Sequence, residues 1–173
     1  STGSYAAGIV GALLFQLAAI VDCCDGEVAR LTFTESPLGE QLDIMTDNIV
    51  HMAIFAGIGW GSFVVQGGWQ SAAPRPWLPL ALGGVAIFAN VMSLWLVTRA
   101  RAIRTRQGWH SPEQAARVEF ILKNMASRDF SVLLLFFAAI GKLNWFLWMT
   151  AIGANIFWIM LAWTIRPSAI ARA

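Results

Sequence analysis

Between residues 22 and 47 stand four aspartates, Asp22, Asp25, Asp43 and Asp47, with Arg30 and three small residues, Gly26, Ala29 and Gly39, among them. Asp22 and Asp25 are three positions apart and Asp43 and Asp47 four, so each pair falls on one face of a helix. If the two helices turn back on each other around residues 31–38, the pairs converge on one point. Carboxylates brought together repel, and an ionisable residue in a membrane helix costs on the order of 3 kcal/mol by insertion scales. A divalent cation relieves both penalties. An all-oxygen donor set suits Mg2+, Mn2+ or Ca2+ better than zinc or copper. Mg2+ commonly takes one or two carboxylates plus substrate phosphate oxygens, which leaves room for a diphosphate and points to phosphoryl-type chemistry. Gly26, Ala29 and Gly39 remove bulk where a flat ligand or a neighbouring helix comes close. Arg30 supplies a fixed positive charge for phosphate or for the aspartates.

The elements that must position these residues are apolar. The 173 residues are 57% hydrophobic and 13% charged, with nine Trp against one Tyr, which excludes an ordinary soluble domain. Five stretches, 5–21, 49–65, 77–97, 130–140 and 145–163, approach the length of roughly 20 apolar residues that a bilayer core demands. The fold class expected is therefore an all-α integral membrane protein, a bundle of transmembrane helices forming one domain over residues 1–173. The fourth stretch is short; the polar residues before it complete the crossing if they face a watery, protein-lined cavity. Residues 66–76, with Gly67, Gly68, Trp69, Pro74 and Pro76, read as an external loop, and residues 141–144 as a tight turn. The long polar stretch 98–127 holds Ser111, Pro112 and Glu113, a helix start, and reads as a surface helix.

Charge placement orients the bundle. With alternating spans, ten of the twelve basic residues share one side, and only Arg75 and Lys142 lie opposite. Cytoplasmic loops collect Lys and Arg, so the aspartate turn is expected at the cytoplasmic face. That orientation starts the first span outside, and with Ser1 rather than Met at the beginning a further upstream helix is expected.

The eight residues Asp22, Asp25, Gly26, Ala29, Arg30, Gly39, Asp43 and Asp47 fit D-x2-D-G-x2-A-R-x8-G-x3-D-x3-D at every specified position. In this the chain resembles the CDP-alcohol phosphotransferase family. The resemblance implies a fold of six membrane helices, of which five are visible here and the first is expected upstream, around a cytoplasmic-side polar cavity. It implies a CDP-alcohol donor, an alcohol acceptor, CMP release and a required divalent metal, Mg2+ or Mn2+. Carried onto this chain, it makes Asp22, Asp25, Asp43 and Asp47 the metal ligands and Asp47 also the general base. Asp22, Asp25, Gly26, Ala29, Arg30, Gly39 and Asp43 would hold the CDP moiety. The run Asp-Gly-Glu-Val-Ala-Arg-Leu at 25–31 is similar to members that join inositol-type polar alcohols, some fused to a cytidylyltransferase. Beyond the donor and acceptor, the expected partners are the lipid bilayer and a second copy in a homodimer, with no nucleic acid.

An anionic acceptor would need further cations, and Arg128 and Lys123, with the arginines of 99–106, are the candidates. Arg128 stands out because it precedes the short fourth span. His51 follows Asp47 by four residues on the same face; it suits either a mildly polar packing role or a hydrogen bond to a carboxylate. Adjacent Cys23 and Cys24 imply no disulfide and are expected as small buried residues. His110, Glu35 and Glu40 read as solvated, and Trp145, Trp148, Trp158 and Trp163 as interface belt and packing. Two other classes use intramembrane aspartates. A prenyltransferase would carry a second Asp-rich motif on a distant helix, but after Asp47 only Asp129 remains. A divalent-cation transporter would spread its carboxylates along several helices near the midplane.

Overall fold

A computed structural model describes residues 4–31, 37–72, 74–106, 113, 116–118, 120 and 129–165, with the side chains at 23, 25–27, 29–30, 37–38, 40–41, 103–106 and 129 outside the description. Among the described residues every regular element is helical. The long helices are α1 (Tyr5–Leu31), α2 (Pro37–Val65), α3 (Leu78–Arg106), α4 (Asp129–Ala139) and α5 (Leu143–Ile165), with one 3-10 turn at Gly68–Gln70. Four of them are long and apolar enough to cross a membrane, and Phe130–Ala139 forms a shorter apolar helix. The protein is an all-α integral membrane protein, as the hydropathy of its sequence predicts.

Local chemistry sets the helix ends. Ser4 caps α1, its hydroxyl accepting the Ala7 N–H at 3.2 Å. α2 begins at Pro37, whose missing N–H costs nothing in a first turn. Its far end runs into Gly67 and Gly68, with φ of 93° and 58°, which turn the chain into the 3-10 segment. At the end of α4, Lys142 N–H reaches the Phe137 carbonyl at 2.8 Å and Gly141 N–H the Ala138 carbonyl at 3.0 Å. Gly141 sits at φ 68°, so this is a Schellman stop that reverses the chain directly into α5.

Small residues let the helices approach. A side chain at Gly83 would stand 3.1 Å from the Phe55 carbonyl oxygen, and one at Gly59 would stand 3.0 Å from that of Pro79, so α2 and α3 cross backbone to backbone. Ala12, Ala86, Ala138 and Ala151 are buried beside Phe55, Ile58, Leu134, Phe146 and Leu147, a core drawn from all five helices. A second cluster joins Leu96 and Ala100 of α3 to Leu161 and Ile165 of α5 through Val118, which is buried. Of the polar stretch expected as a surface helix, residues 113, 116–118 and 120 are described and helical, and Ser111 and Pro112 lie outside the described residues.

Several polar side chains within the spans return their protons to their own helix, while Asn90 of α3 donates across to the Asn48 carbonyl of α2 at 3.2 Å. Ser93 donates to Ala89 at 2.8 Å, Asn155 to Ala151 at 2.7 Å, and Thr150 to the Phe146 carbonyl. Trp158 donates its indole N–H to Asn155 Oδ1 at 2.8 Å. The outer surface is lined with exposed Leu, Ile, Val, Phe and Trp, Trp163 and Trp145 among the most exposed, as lipid contact requires.

Helix pairing departs from a simple hairpin. α1 packs chiefly on α4, while α2 packs on α3 and less extensively on α5. Among the described residues α1 and α2 share little direct contact, although they meet at the aspartates. In a bilayer the face that meets protein and the face that meets lipid are equally apolar, so hydropathy does not reveal which helices pair.

Candidate active site

Asp22 closes the apolar part of α1, and Asp43 and Asp47 occupy successive turns at the start of α2. The structure brings these three together: one carboxylate oxygen from each lies within 4.8 Å of the others, and all three side chains are exposed at the end of the bundle. Charges at that separation repel by on the order of 1 to 4 kcal/mol per pair, depending on how wet the site is. Three converging oxygens of this kind are the donor set that a hard divalent cation takes, so the residues present fit such an ion.

Asp25, Gly26, Ala29 and Arg30 lie in the last turns of α1, but their side chains are outside the described residues, as is that of Glu40. Gly39 lies in the first turn of α2 and is exposed. Arg128, Lys123, His110 and Glu35 lie outside the described residues. Arg99 and Arg101 are exposed on the last turns of α3 at the aspartate end of the bundle, Arg99 stacking over the Trp95 ring at 5.3 Å. Cys24 is free and exposed, against the expectation of burial: the stretch of α1 that carries it has exposed neighbours in Val21, Asp22 and Val28.

Beneath the carboxylates the helices carry an aromatic floor that spacing alone does not reveal. Along α2, Asp43 and Asp47 are exposed, His51 is partly buried and Phe55 is buried, so one stripe runs from water into the core in three steps of four residues. The His51 ring lies 4.5 Å from that of Phe130 on α4 and 5.8 Å from that of Phe15 on α1, both edge to face. Phe130 in turn meets Phe15 at 6.0 Å, Phe55 at 5.8 Å and Phe146 of α5 at 5.2 Å. His51 does pack, as one of its two expected roles has it. Its hydrogen bond runs to the main-chain carbonyl of Asp47 at 2.6 Å, not to a carboxylate. A carbonyl only accepts, so Nδ1 carries the ring proton.

A half-open cavity of about 310 Å³ lies at the opposite end of the bundle, lined by Tyr5, Ile58, Ser62, Gln66, Ala138 and Asn144 among others. Among the described residues no acidic or basic side chain lines it, and it is separate from the carboxylate site.

Fold and site together define an integral membrane enzyme whose acidic centre sits at one end of a helical bundle. The family model for CDP-alcohol phosphatidyltransferase matches residues 4–170. The chain belongs to that family, whose members transfer a substituted phosphate from a CDP-alcohol to an acceptor alcohol. A curated relative, the bifunctional IPC transferase and DIPP synthase of Rubrobacter xylanophilus, is 42% identical over 53 residues, 31% of this chain and 12% of the relative. No solved structure matches the chain. Family membership favours CDP-alcohol chemistry over the prenyltransferase and transporter readings.

Proposed function

We propose that this protein moves a phospho-alcohol group from a CDP-alcohol onto the hydroxyl of a polar, inositol-type acceptor, and that Asp47 is its general base. The observation that carries the reading is the approach of Asp22, Asp43 and Asp47 to within 4.8 Å, inside a motif that fits the family at all eight positions. Asp47 accepts the proton of the acceptor hydroxyl, and that oxygen bonds to the β-phosphorus. The bond from the β-phosphorus to its bridging oxygen breaks, and CMP leaves with the electron pair. The product is a phosphodiester.

Asp22, Asp25, Asp43 and Asp47 would hold Mg2+ or Mn2+, which when bound neutralises phosphate charge and binds diphosphate oxygens. Arg30 would balance charge on the departing CMP, and Gly26, Ala29 and Gly39 would admit the flat cytidine close to the helices. Arg128 and Lys123 remain the proposed acceptor contacts. The inositol-type alcohol is supported by the run at 25–31 and by the name of the IPC transferase relative. The one-sided distribution of Lys and Arg supports a site that faces the cytoplasm, and a homodimer is the proposed assembly.

The test is CMP release in detergent from a panel of CDP-alcohols crossed with glycerol 3-phosphate, inositol, inositol phosphate and serine. Release with inositol-type acceptors and Mg2+ is expected. Release from none of the pairs would sink the reaction, and preference for serine or glycerol 3-phosphate would sink only the substrate class.

A further inference from the structure

α1 and α2 supply the two halves of the carboxylate cluster yet, among the described residues, share little contact along their lengths. Something near the cluster must therefore fix Asp22 in register with Asp43 and Asp47. Among the described residues, Phe15 to His51 is the ring contact that joins α1 directly to α2, at 5.8 Å and an interplanar angle of 80°. Phe15 lies two helical turns below Asp22, and His51 about 6 Å below Asp47, so the contact lies one to two turns beneath the carboxylates. Phe130 of α4 packs against both rings, at 4.5 Å from His51 and 6.0 Å from Phe15.

His51 is bound to this floor and to the site at once. Its Nδ1–H donates to the Asp47 carbonyl at 2.6 Å, which fixes the ring plane relative to the backbone of the very residue whose carboxylate enters the cluster. Phenylalanine at this position would keep the packing but lose the donor. Asparagine would keep a donor near the same point but lose the ring.

We infer that His51 is a positioning residue: through its bond to the Asp47 carbonyl and its edge contacts with Phe15 and Phe130, it sets the spacing of Asp22 from Asp43 and Asp47, and with it the affinity of the cluster for a divalent cation. The inference rests on the metal-binding reading of those aspartates. Groups that hydrogen-bond a ligating side chain typically change metal affinity by about 10- to 100-fold when removed, and His51, bonded to the backbone of Asp47, is expected at the low end of that range.

The test is Mn2+ binding to the purified protein in detergent, followed by EPR, for wild type, His51→Ala, His51→Asn, His51→Phe and Asp43→Asn, with thermal unfolding of each without metal. His51→Ala is expected to weaken Mn2+ binding about tenfold, with the Asn and Phe variants between it and wild type. The Mg2+ concentration for half-maximal CMP release should rise in the same order. If wild type binds Mn2+, Asp43→Asn does not, and the His51 variants bind like wild type while unfolding at lower temperature, His51 only packs and the inference is overturned. If wild type binds no Mn2+, or Asp43→Asn binds it unchanged, the metal reading itself fails and this inference falls with it. Should His51→Ala not fold, the Asn and Phe variants decide the matter, because wild-type affinity in both overturns the proposal.

Discussion

The two ends of the bundle are built on opposite plans. At the end away from the aspartates, α1 is tied down: Tyr5 donates its hydroxyl proton to the Ala139 carbonyl at 2.6 Å, and its ring lies 3.5 Å from where a side chain at Gly141 would stand. The Schellman stop at Gly141 then locks α4 against α5. At the aspartate end, α1 and α2 bring like charges together, and the carboxylates are exposed. One end contributes fold stability, and the other gathers like charge that, under the proposed function, a divalent cation would offset. Substitutions should therefore separate cleanly, affecting turnover at one end and stability at the other.

The sharpest probe of that contrast is Asp47→Asn, which removes the proposed base while keeping shape and polarity. CMP release should fall by a factor of about 100 or more while the unfolding temperature stays near wild type and nucleotide binding largely survives. Near-normal release would assign the base elsewhere. Asp22→Asn should have the next largest effect, raising the Mg2+ requirement for CMP release by more than the roughly tenfold expected of His51→Ala, since it deletes the α1 donor of the cluster itself. An unchanged Mg2+ requirement would remove Asp22 from the metal site.

Away from the site the expected readout changes. Gly59→Ala places a methyl group 3.0 Å from the Pro79 carbonyl oxygen, a backbone atom with little room to yield. It should destabilise the protein by about 1 to 3 kcal/mol, seen as earlier thermal unfolding in detergent. Tyr5→Phe is the mildest, costing about 1 kcal/mol for the lost hydrogen bond. Its turnover per folded molecule should match wild type, and a loss of turnover comparable to that of Asp22→Asn would break the division between the two ends.

Much of this was legible in the sequence because it is carried by local rules. Long apolar runs between Gly and Pro clusters mark the helices, and i, i+4 spacing puts Asp43 and Asp47 on one face once Pro37 starts the helix. The convergence of Asp22 on that pair needed only a reversal of the chain between them. The aromatic floor was harder to see, because Phe15, His51 and Phe130 are far apart in the chain and nothing in their neighbourhoods distinguishes them from other apolar positions. Pairing of α1 with α4 was equally hidden, for lipid-facing and protein-facing surfaces are both apolar. Cys24 shows the same blindness at one residue: a small thiol suits a core, yet here it is exposed.

Ser93, Thr150 and Asn155 spend their protons on carbonyls of their own helices, and Gly59 and Gly83 let α2 and α3 meet through bare backbone. Contacts of that kind hold by fit against whatever surrounds them, and the surrounding solvent is lipid. The bilayer is then a component of the fold as much as its container, so a change in acyl-chain length or a transfer to detergent alters the strength of many helix contacts at once, without touching a residue.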